Sequence, residues 1–271
     1  EASGLDEILR EALLARDPRP RSLQNGDGLL LIIRGVNLNE GASAHDMVSL
    51  RSWYDRDRVI SMRHRPVRAL RSVADDLDAG RGARSAAGLL FSMTDRVVDR
   101  IGQVVDAFED EGALLEDEIL GVTSHALRAR LADLRRQAIA LRRYIAPQRD
   151  VLARLRSEQV TRLGELERAR LRETADRMTR VVEDLDAARE RAAVTSEEVA
   201  GRLAEQSNQR LYVLSIVTSV FLPLGLITSM FGVNLGGIPG TGFELGFWAL
   251  SGGLVVWALV QLWVFKRKGW L

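Results

Sequence analysis

Hydrophobic positions recur at helical spacing from the start of this chain, with Leu5, Ile8, Leu9 and Leu13 on one face of residues 5–16. The stretch Asp17-Pro18-Arg19-Pro20-Arg21-Ser22 then breaks the pattern. Three short runs with strand character follow, at Gly28–Arg34, Met47–Tyr54 and Arg58–Arg63, the last two joined by a turn at Asp55-Arg56-Asp57. Three strands make a thin sheet, so further strands are expected before Glu1. After Pro66 the period turns helical and stays so. A short helix is predicted over Pro66–Ala79, broken at Gly80-Arg81-Gly82. Between Ser85 and Leu120, Leu89, Met93, Val97, Ile101, Val104, Val105 and Phe108 mark a long amphipathic helix. A second helix over Ser124–Tyr144 returns antiparallel and is ended by Ala146-Pro147, with a short helix following over Gln148–Arg156.

From Leu166 no helix breaker occurs before Pro223. Leu171, Ala175, Met178, Val182 and Leu185 step by four and three, a heptad seam. The same frame continues through Arg189, Ala192, Ser196, Val199, Leu203, Gln206 and Arg210, so the seam grows polar. A helix from Leu166 to Phe231 would be ~100 Å long, more than a small domain can bury. It is expected to project as a stalk, either an oligomerisation coiled coil or a helix whose polar face lines an ion path.

The pattern changes once more at Leu211. Residues Leu211 to Phe231 carry no charge, and Phe247 to Phe265 contains only Gln261 as a strongly polar residue. Each run is long enough for a hydrocarbon core of ~30 Å. Arg202 and Arg210 precede the first span and Lys266-Arg267-Lys268 follows the second, while the loop between has no Lys or Arg. Both termini are therefore expected in the cytoplasm, with residues 232–246 outside. Trp263 and Trp270 flank the basic cluster as interfacial anchors. The predicted fold is a mostly α membrane protein: an α+β cytoplasmic domain over 1–165, a stalk helix over 166–210, and a two-helix transmembrane hairpin over 211–271.

Composition narrows the chemistry. Charged residues are 28% of the chain and lie almost wholly before residue 211, yet the formal net charge is only +1, which leaves no nucleic-acid footprint. The only lysines are Lys266 and Lys268, so no phosphate-binding loop of the Walker type can form. There is no Cys, hence no disulfide and no thiolate site. His45, His64 and His125 lack ligand spacing. The acidic groups Glu109-Asp110-Glu111 and Glu116-Asp117-Glu118 read either as divalent-cation carboxylates or as a solvated helix end. No nucleophile and base pair up, so an enzyme is not expected.

On the first span, Asn208, Leu211, Ser215, Thr218, Leu222, Gly225 and Ser229 fall at steps of three and four and share one face. A weakly polar face with Leu222 as an apolar constriction suits a pore for a hydrated ion. Pro223 removes one backbone hydrogen bond, and a kink is expected there. The span ends in Gly232-Val233-Asn234, whose Asn carboxamide oxygen would stand at the outer mouth. Glu244 is the ionisable side chain of that loop and would draw cations to it. As a tripeptide the signal is weak, since Gly35-Val36-Asn37 repeats it in the soluble part.

The run SIVTSVFLPLGLITSMFGVNLGGIPG, a second span and a terminal KRKGWL resemble the CorA-type, two-span GxN family of divalent-cation transporters. Gly232-Val233-Asn234, RGVNLN at Arg34–Asn39 and RYIAPQRDVLARL at Arg143–Leu155 are similar to its zinc-transporting ZntB branch. The resemblance implies a homopentamer in the inner (plasma) membrane, with a funnel-shaped cytoplasmic domain and no cofactor. It implies Zn2+ as the transported ion, with proton-coupled uptake, and Mg2+, Co2+, Ni2+ or Cd2+ as alternatives. Gly232, Val233 and Asn234 then form the selectivity signature, the Asn208-to-Ser229 face lines the pore, and Lys266, Arg267 and Lys268 belong to a basic collar. No residue is assigned as a resident metal ligand. The partners implied are further copies of the chain, the lipid bilayer and divalent cations, not nucleic acid. A membrane-tethered coiled-coil scaffold without transport is the alternative from another class, and it requires neither a polar face nor Asn234.

Overall fold

The computed structural model describes residues 5–43, 45–55, 58–119, 124–157, 163–233, 242 and 244–269. Two compact units divide the chain, Glu1–Ala200 and Gly201–Leu271. The first opens with α1, Glu7–Leu14, capped by the Asp6 carboxylate, which accepts from the Leu9 N–H at 2.7 Å. An antiparallel meander follows: β1 Arg21–Asn25, β2 Gly28–Gly35, β3 Val48–Asp55 and β4 Arg58–Met62, in that spatial order. Four strands are therefore present where the alternation of the sequence predicts three. The missed strand, Arg21–Asn25, is a mostly exposed edge with little apolar signal, and it pairs with β2 through the register Asn25↔Gly28. Gly26 makes that turn at φ 57°, a conformation that suits glycine. The pair Asp55↔Arg58 brings β3 to β4, and Arg56 and Asp57 of the expected turn lie outside the described residues.

Every residue of β2 is buried because both faces of the sheet are covered. Leu30, Ile32 and Trp53 pack with Leu9, Ala12 and Leu13 of α1 on one face. The other face meets α3, Ala86–Ile119, where Val97 lies against Gly35. Strand β1 ends at the pair Arg21↔Ile32, so β2 outruns it by three residues. The Arg34 N–H on that stretch is satisfied by the fully buried Gln148, whose Oε1 accepts it at 2.6 Å.

Between sheet and bundle, the segment expected as one helix over Pro66–Ala79 is a 3₁₀ turn, Arg68–Leu70, running into α2, Arg71–Asp78. Helix α4, His125–Ser157, brings a larger difference, because it runs unbroken through Pro147 instead of ending there. A proline inside a helix costs about 3 kcal/mol. Here the buried stripe Leu131, Leu134, Ala138, Leu141, Ile145, Gln148, Leu152 and Leu155 continues across it without a change of step. Packing and the Gln148 bond to the sheet outweigh the local penalty.

Helix α5 spans Glu165–Phe231. Contacts of α3 with α4 run in opposite senses (Gly112 beside Leu134, Glu118 with Arg130 at 2.8 Å), so the two are antiparallel. Asp95 with Arg177 and Gly102 beside Val181 make α3 and α5 parallel. The seam Leu171, Ala175, Met178, Val182 and Leu185 is buried as expected, but within the chain, under α3 and α4. Beyond Leu185 the buried positions are Ala188, Ala192, Thr195 and Val199, not the Arg189 and Ser196 of the strict heptad. Only the alternate seam position moves back by one residue, from 189 to 188 and from 196 to 195, while Ala192 and Val199 keep theirs, and Arg189 is left half exposed, 3.8 Å from Asp186.

Arg142 of α4 grips Asp186 of α5 with two bonds, Nε at 2.5 Å and Nη2 at 3.1 Å. Its hydrogen bonds hold the Asp186 carboxyl below the usual carboxylate range. A depressed carboxyl stabilises the fold above its unfolded value, near 4, and that contribution fades as pH falls through the lower folded value. Both groups are partly exposed, so the pair is worth about 1 kcal/mol or less. Arg142→Met is expected to lower the melting midpoint at pH 7 by more than it does at about pH 3. Melts at the two pH values check this.

Candidate functional site

The second unit holds the end of α5 and α6, Gly246–Arg267. Both are long and apolar enough to cross a bilayer, yet α6 buries none of its residues and the apolar part of α5 almost none. A core helix of a soluble protein would be covered, so these helices are built for a surrounding that is itself apolar.

The few residues of α5 that are shielded here are Ile216, Val220, Pro223, Leu224 and Ile227. On α6 the shielded positions are Gly246, Leu250, Ser251, Leu254, Ala258, Gln261, Val264 and Phe265, again at steps of one, three and four. The two stripes face each other, and Gln261 Nε2 donates to the Ser219 carbonyl at 3.4 Å. At about 100° per residue, the shielded stripe of α5 lies almost diametrically opposite the stripe Asn208, Leu211, Ser215, Thr218, Leu222, Gly225 and Ser229. All seven of these residues are exposed. The structure thus brings the sequence-predicted polar face together as one continuous open strip that α6 leaves uncovered.

Two of the three hydroxyls on this strip, Ser215 and Thr218, are tied to their own helix. Ser215 Oγ donates to the Leu211 carbonyl and Thr218 Oγ1 to the Leu214 carbonyl, each at 2.8 Å. Off the strip, Thr228 does the same to Leu224 at 2.6 Å. At Gly225 an added Cβ would meet nothing within 4 Å, so the backbone is bare there. Helix α5 continues through Pro223 to Phe231.

Of the expected signature, Gly232 closes the helix, its N–H shared between the carbonyls of Thr228 at 2.9 Å and Ser229 at 3.2 Å. Val233 is half exposed beside it. Asn234 lies outside the described residues, as do residues 235–241 and Trp270. Glu244 is exposed two residues before α6 begins. At the far end of α6, Lys266, Arg267 and Lys268 are exposed, and the Arg267 guanidinium lies 5.3 Å from the Trp263 ring centre. This end of α6 is cationic where the helix dipole is negative, a favourable match.

Elsewhere, no cluster of three or more His, Asp or Glu side chains suited to a metal ion is found among the described residues. His45 and His64 do share the wall of a cavity of about 350 Å³ with Asp17, Arg34, Asp46, Arg65 and Tyr144, a meeting that their sequence separation hides. There Arg34 bonds Asp17 and the Pro18 carbonyl, with its guanidinium 4.3 Å from the Tyr144 ring centre. Arg65 pairs with Asp46 at 2.6 Å. Beneath the sheet, Arg51 is buried and caps α1 by donating to the Leu13 and Ala15 carbonyls; burial and the Arg34 charge lower its pKa. Neither feature is signalled by spacing.

A sheet-and-bundle unit followed by two uncovered apolar helices, one with a polar strip, fits an integral membrane protein. The family described as CorA-like Mg2+ transporter protein matches residues 1–267, and the chain belongs to that family. Its relatives are transporters rather than enzymes. The chain is 38% identical to the divalent cation transporter CmaX of Pseudomonas aeruginosa over 280 aligned positions, covering all of this chain and 82% of that protein. It is 37% identical to the zinc transport protein ZntB of Yersinia enterocolitica, covering 98% of this chain and 81% of that one. The solved structure of full-length CmaX superposes with a TM-score of 0.84 over 98% of this chain and 82% of the other, at 37% identity.

Proposed function

We propose that this protein carries divalent cations across the inner membrane, zinc foremost, through a pore shared by five copies with both termini in the cytoplasm. The observation that carries the reading is the open strip from Asn208 to Ser229, set opposite the stripe that α6 covers. Such a division of faces suits an inner helix that meets its copies around an axis and an outer helix that meets lipid. The functions named for the two relatives, zinc transport and divalent cation transport, support the ion class. The basic residues at the end of α6, and none in the connecting loop, support the orientation. In this reading Gly232, Val233 and Asn234 guard the outer mouth, Glu244 attracts cations to it, and Lys266, Arg267 and Lys268 form the collar.

No ATP is needed in principle. A divalent ion moving to a negative interior gains ~4.6 kcal/mol per 100 mV, about three powers of ten in concentration. The polar strip holds no carboxylate or histidine, so proton coupling would have to draw on groups outside it.

The test is zinc uptake into proteoliposomes under imposed potentials and pH gradients, with native mass measured in parallel. Uptake by the parent that drops by about tenfold or more in Asn234→Ala is the expected result. A parent that moves no zinc under any gradient overturns the zinc reading, and undiminished uptake by the variant overturns the role of Asn234. Magnesium, cobalt, nickel and cadmium as competitors separate the zinc reading from a broader divalent-cation channel, the second reading that the CmaX relation favours. A mass other than five chains overturns the pentamer.

A further inference from the structure

We infer that the outward face of α3 in one copy docks against the outward face of α4 in the next copy, through matched acidic and basic stripes. The inference rests on the assembly proposed above and adds a specific contact to it.

On α3, Asp99, Asp106, Asp110 and Asp117 fall at steps of seven, four and seven, on the side opposite the buried stripe Ile101, Val105, Phe108, Gly112, Leu115 and Ile119. Asp106, Asp110 and Asp117 make no ion pair among the described residues, while Asp99 lies 3.8 Å from Arg177 of α5 and accepts from Gln103 at 3.4 Å. Leu114 stands beside them 68% exposed. On α4, Arg128, Arg135, Arg143 and Arg154 form an exposed basic stripe outside that helix's buried positions, with Asp150, bonded to Arg149, on the same side. Arg128, Arg135 and Arg154 make no ion pair among the described residues, and Arg143 lies 5.7 Å from the Tyr144 ring centre. Ile139 stands among them 50% exposed.

From Asp106 to Asp117 the acidic stripe is unpaired among the described residues, and with the basic stripe, each bearing one large exposed aliphatic side chain, it is complementary. Over that stretch the two do not meet within one chain, since both face away from the core that α3, α4 and α5 share. Their levels also agree. Gly112 lies level with Leu134 and Glu118 with Arg130, so positions on the two helices correspond when their numbers sum to about 247. By that rule Arg128, Arg135 and Arg143 stand level with residues near 119, 112 and 104 of α3, interleaving with Asp117, Asp110 and Asp106. A rotation axis roughly along the helices keeps every level unchanged. Copies related by such an axis would therefore set Arg135 between Asp110 and Asp117 of the neighbour, Arg143 between its Asp99 and Asp106, and Arg128 just beyond its Asp117. The contact is head-to-tail, as a closed ring requires.

The chain has no cysteine, so site-directed crosslinking reads the contact cleanly. In the full-length protein, Ala113→Cys with Arg135→Cys is expected to give, with a short bis-maleimide, a ladder of crosslinked species up to the full assembly. Each single variant should give none. Yield should fall as salt is raised, and by about tenfold when Asp106→Arg and Asp110→Arg are added. Further addition of Arg143→Glu should restore part of it, a rescue that a folding defect would not permit. A full-size assembly by native mass without a ladder overturns this contact and leaves the assembly standing. A monomeric mass overturns the assembly itself. Dimers from either single variant overturn the head-to-tail arrangement. If anionic lipid protects the thiol of the Arg135→Cys variant from a water-soluble maleimide, and no crosslink forms, the basic stripe belongs to the bilayer surface and the proposal is overturned.

Discussion

Gly225→Phe is expected to reduce divalent-cation flux by about a hundredfold, equivalent to some 2.7 kcal/mol of added barrier, without loss of folded protein. Gly225 sits on the open strip of α5, one turn beyond Leu222, and an added Cβ there meets nothing within 4 Å. The single chain thus has room for the ring. Glycine is also a poor helix residue, so the change is neutral or favourable for α5 itself. Around an axis of copies, several phenyl rings would converge at one level and dewet the path. Ile227→Phe, on the stripe facing α6, is the control: it should cost stability by overpacking yet spare the path. Uptake measured beside thermal melts separates the two outcomes. Equal flux in Gly225→Phe and parent would show that the strip does not line the path.

Leu185→Ala is expected to destabilise the first unit by about 2–5 kcal/mol, the range for emptying a packed leucine site. Leu185 is fully buried at the point where the seam of α5 changes frame, with Val182 before it and Ala188 after it. The neighbouring Arg189→Ala, half exposed, should cost less than about 0.5 kcal/mol. Denaturant midpoints of the two variants decide between the observed frame and the strict heptad, which would place Arg189 inward.

Much of this arrangement is legible in the sequence because helices announce themselves by period. Helix α3 is expected from Ser85 to Leu120 and runs Ala86–Ile119. The polar strip of α5 follows from spacing alone, since seven positions at steps of three and four must share a face whatever surrounds them. Spacing does not reveal which face of that span is covered. Both sides of it are apolar enough for lipid, and only the partner stripe on α6 singles out Ile216, Val220 and Ile227. Pro147 misleads because its cost is local and certain while its compensation lies in the sheet, at the Arg34 N–H. Strand β1 escapes for the opposite reason. Arg21–Asn25 has one apolar residue, Leu23, and its pairing is imposed by β2, although Asn25-Gly26 is a strong hairpin signal. The Arg34 and Arg51 environments need folding to assemble them. At the outer mouth the signature itself, Asn234, rests on sequence.

The way Ser215 and Thr218 hold their protons has one more effect. A hydroxyl offers one donor and two lone pairs, and in these residues the donor is already committed to a carbonyl of the helix. What remains facing outward is acceptor capacity alone. A water molecule beside Ser215 or Thr218 can donate to the wall but finds no hydroxyl proton there to receive, so its own lone pairs stay available to whatever occupies the middle. Several copies so arranged would offer a hydrated cation water lone pairs and give an anion no hydroxyl donor at these two levels. The sign of the permeant ion would then be chosen by spent donors, with no carboxylate in the strip.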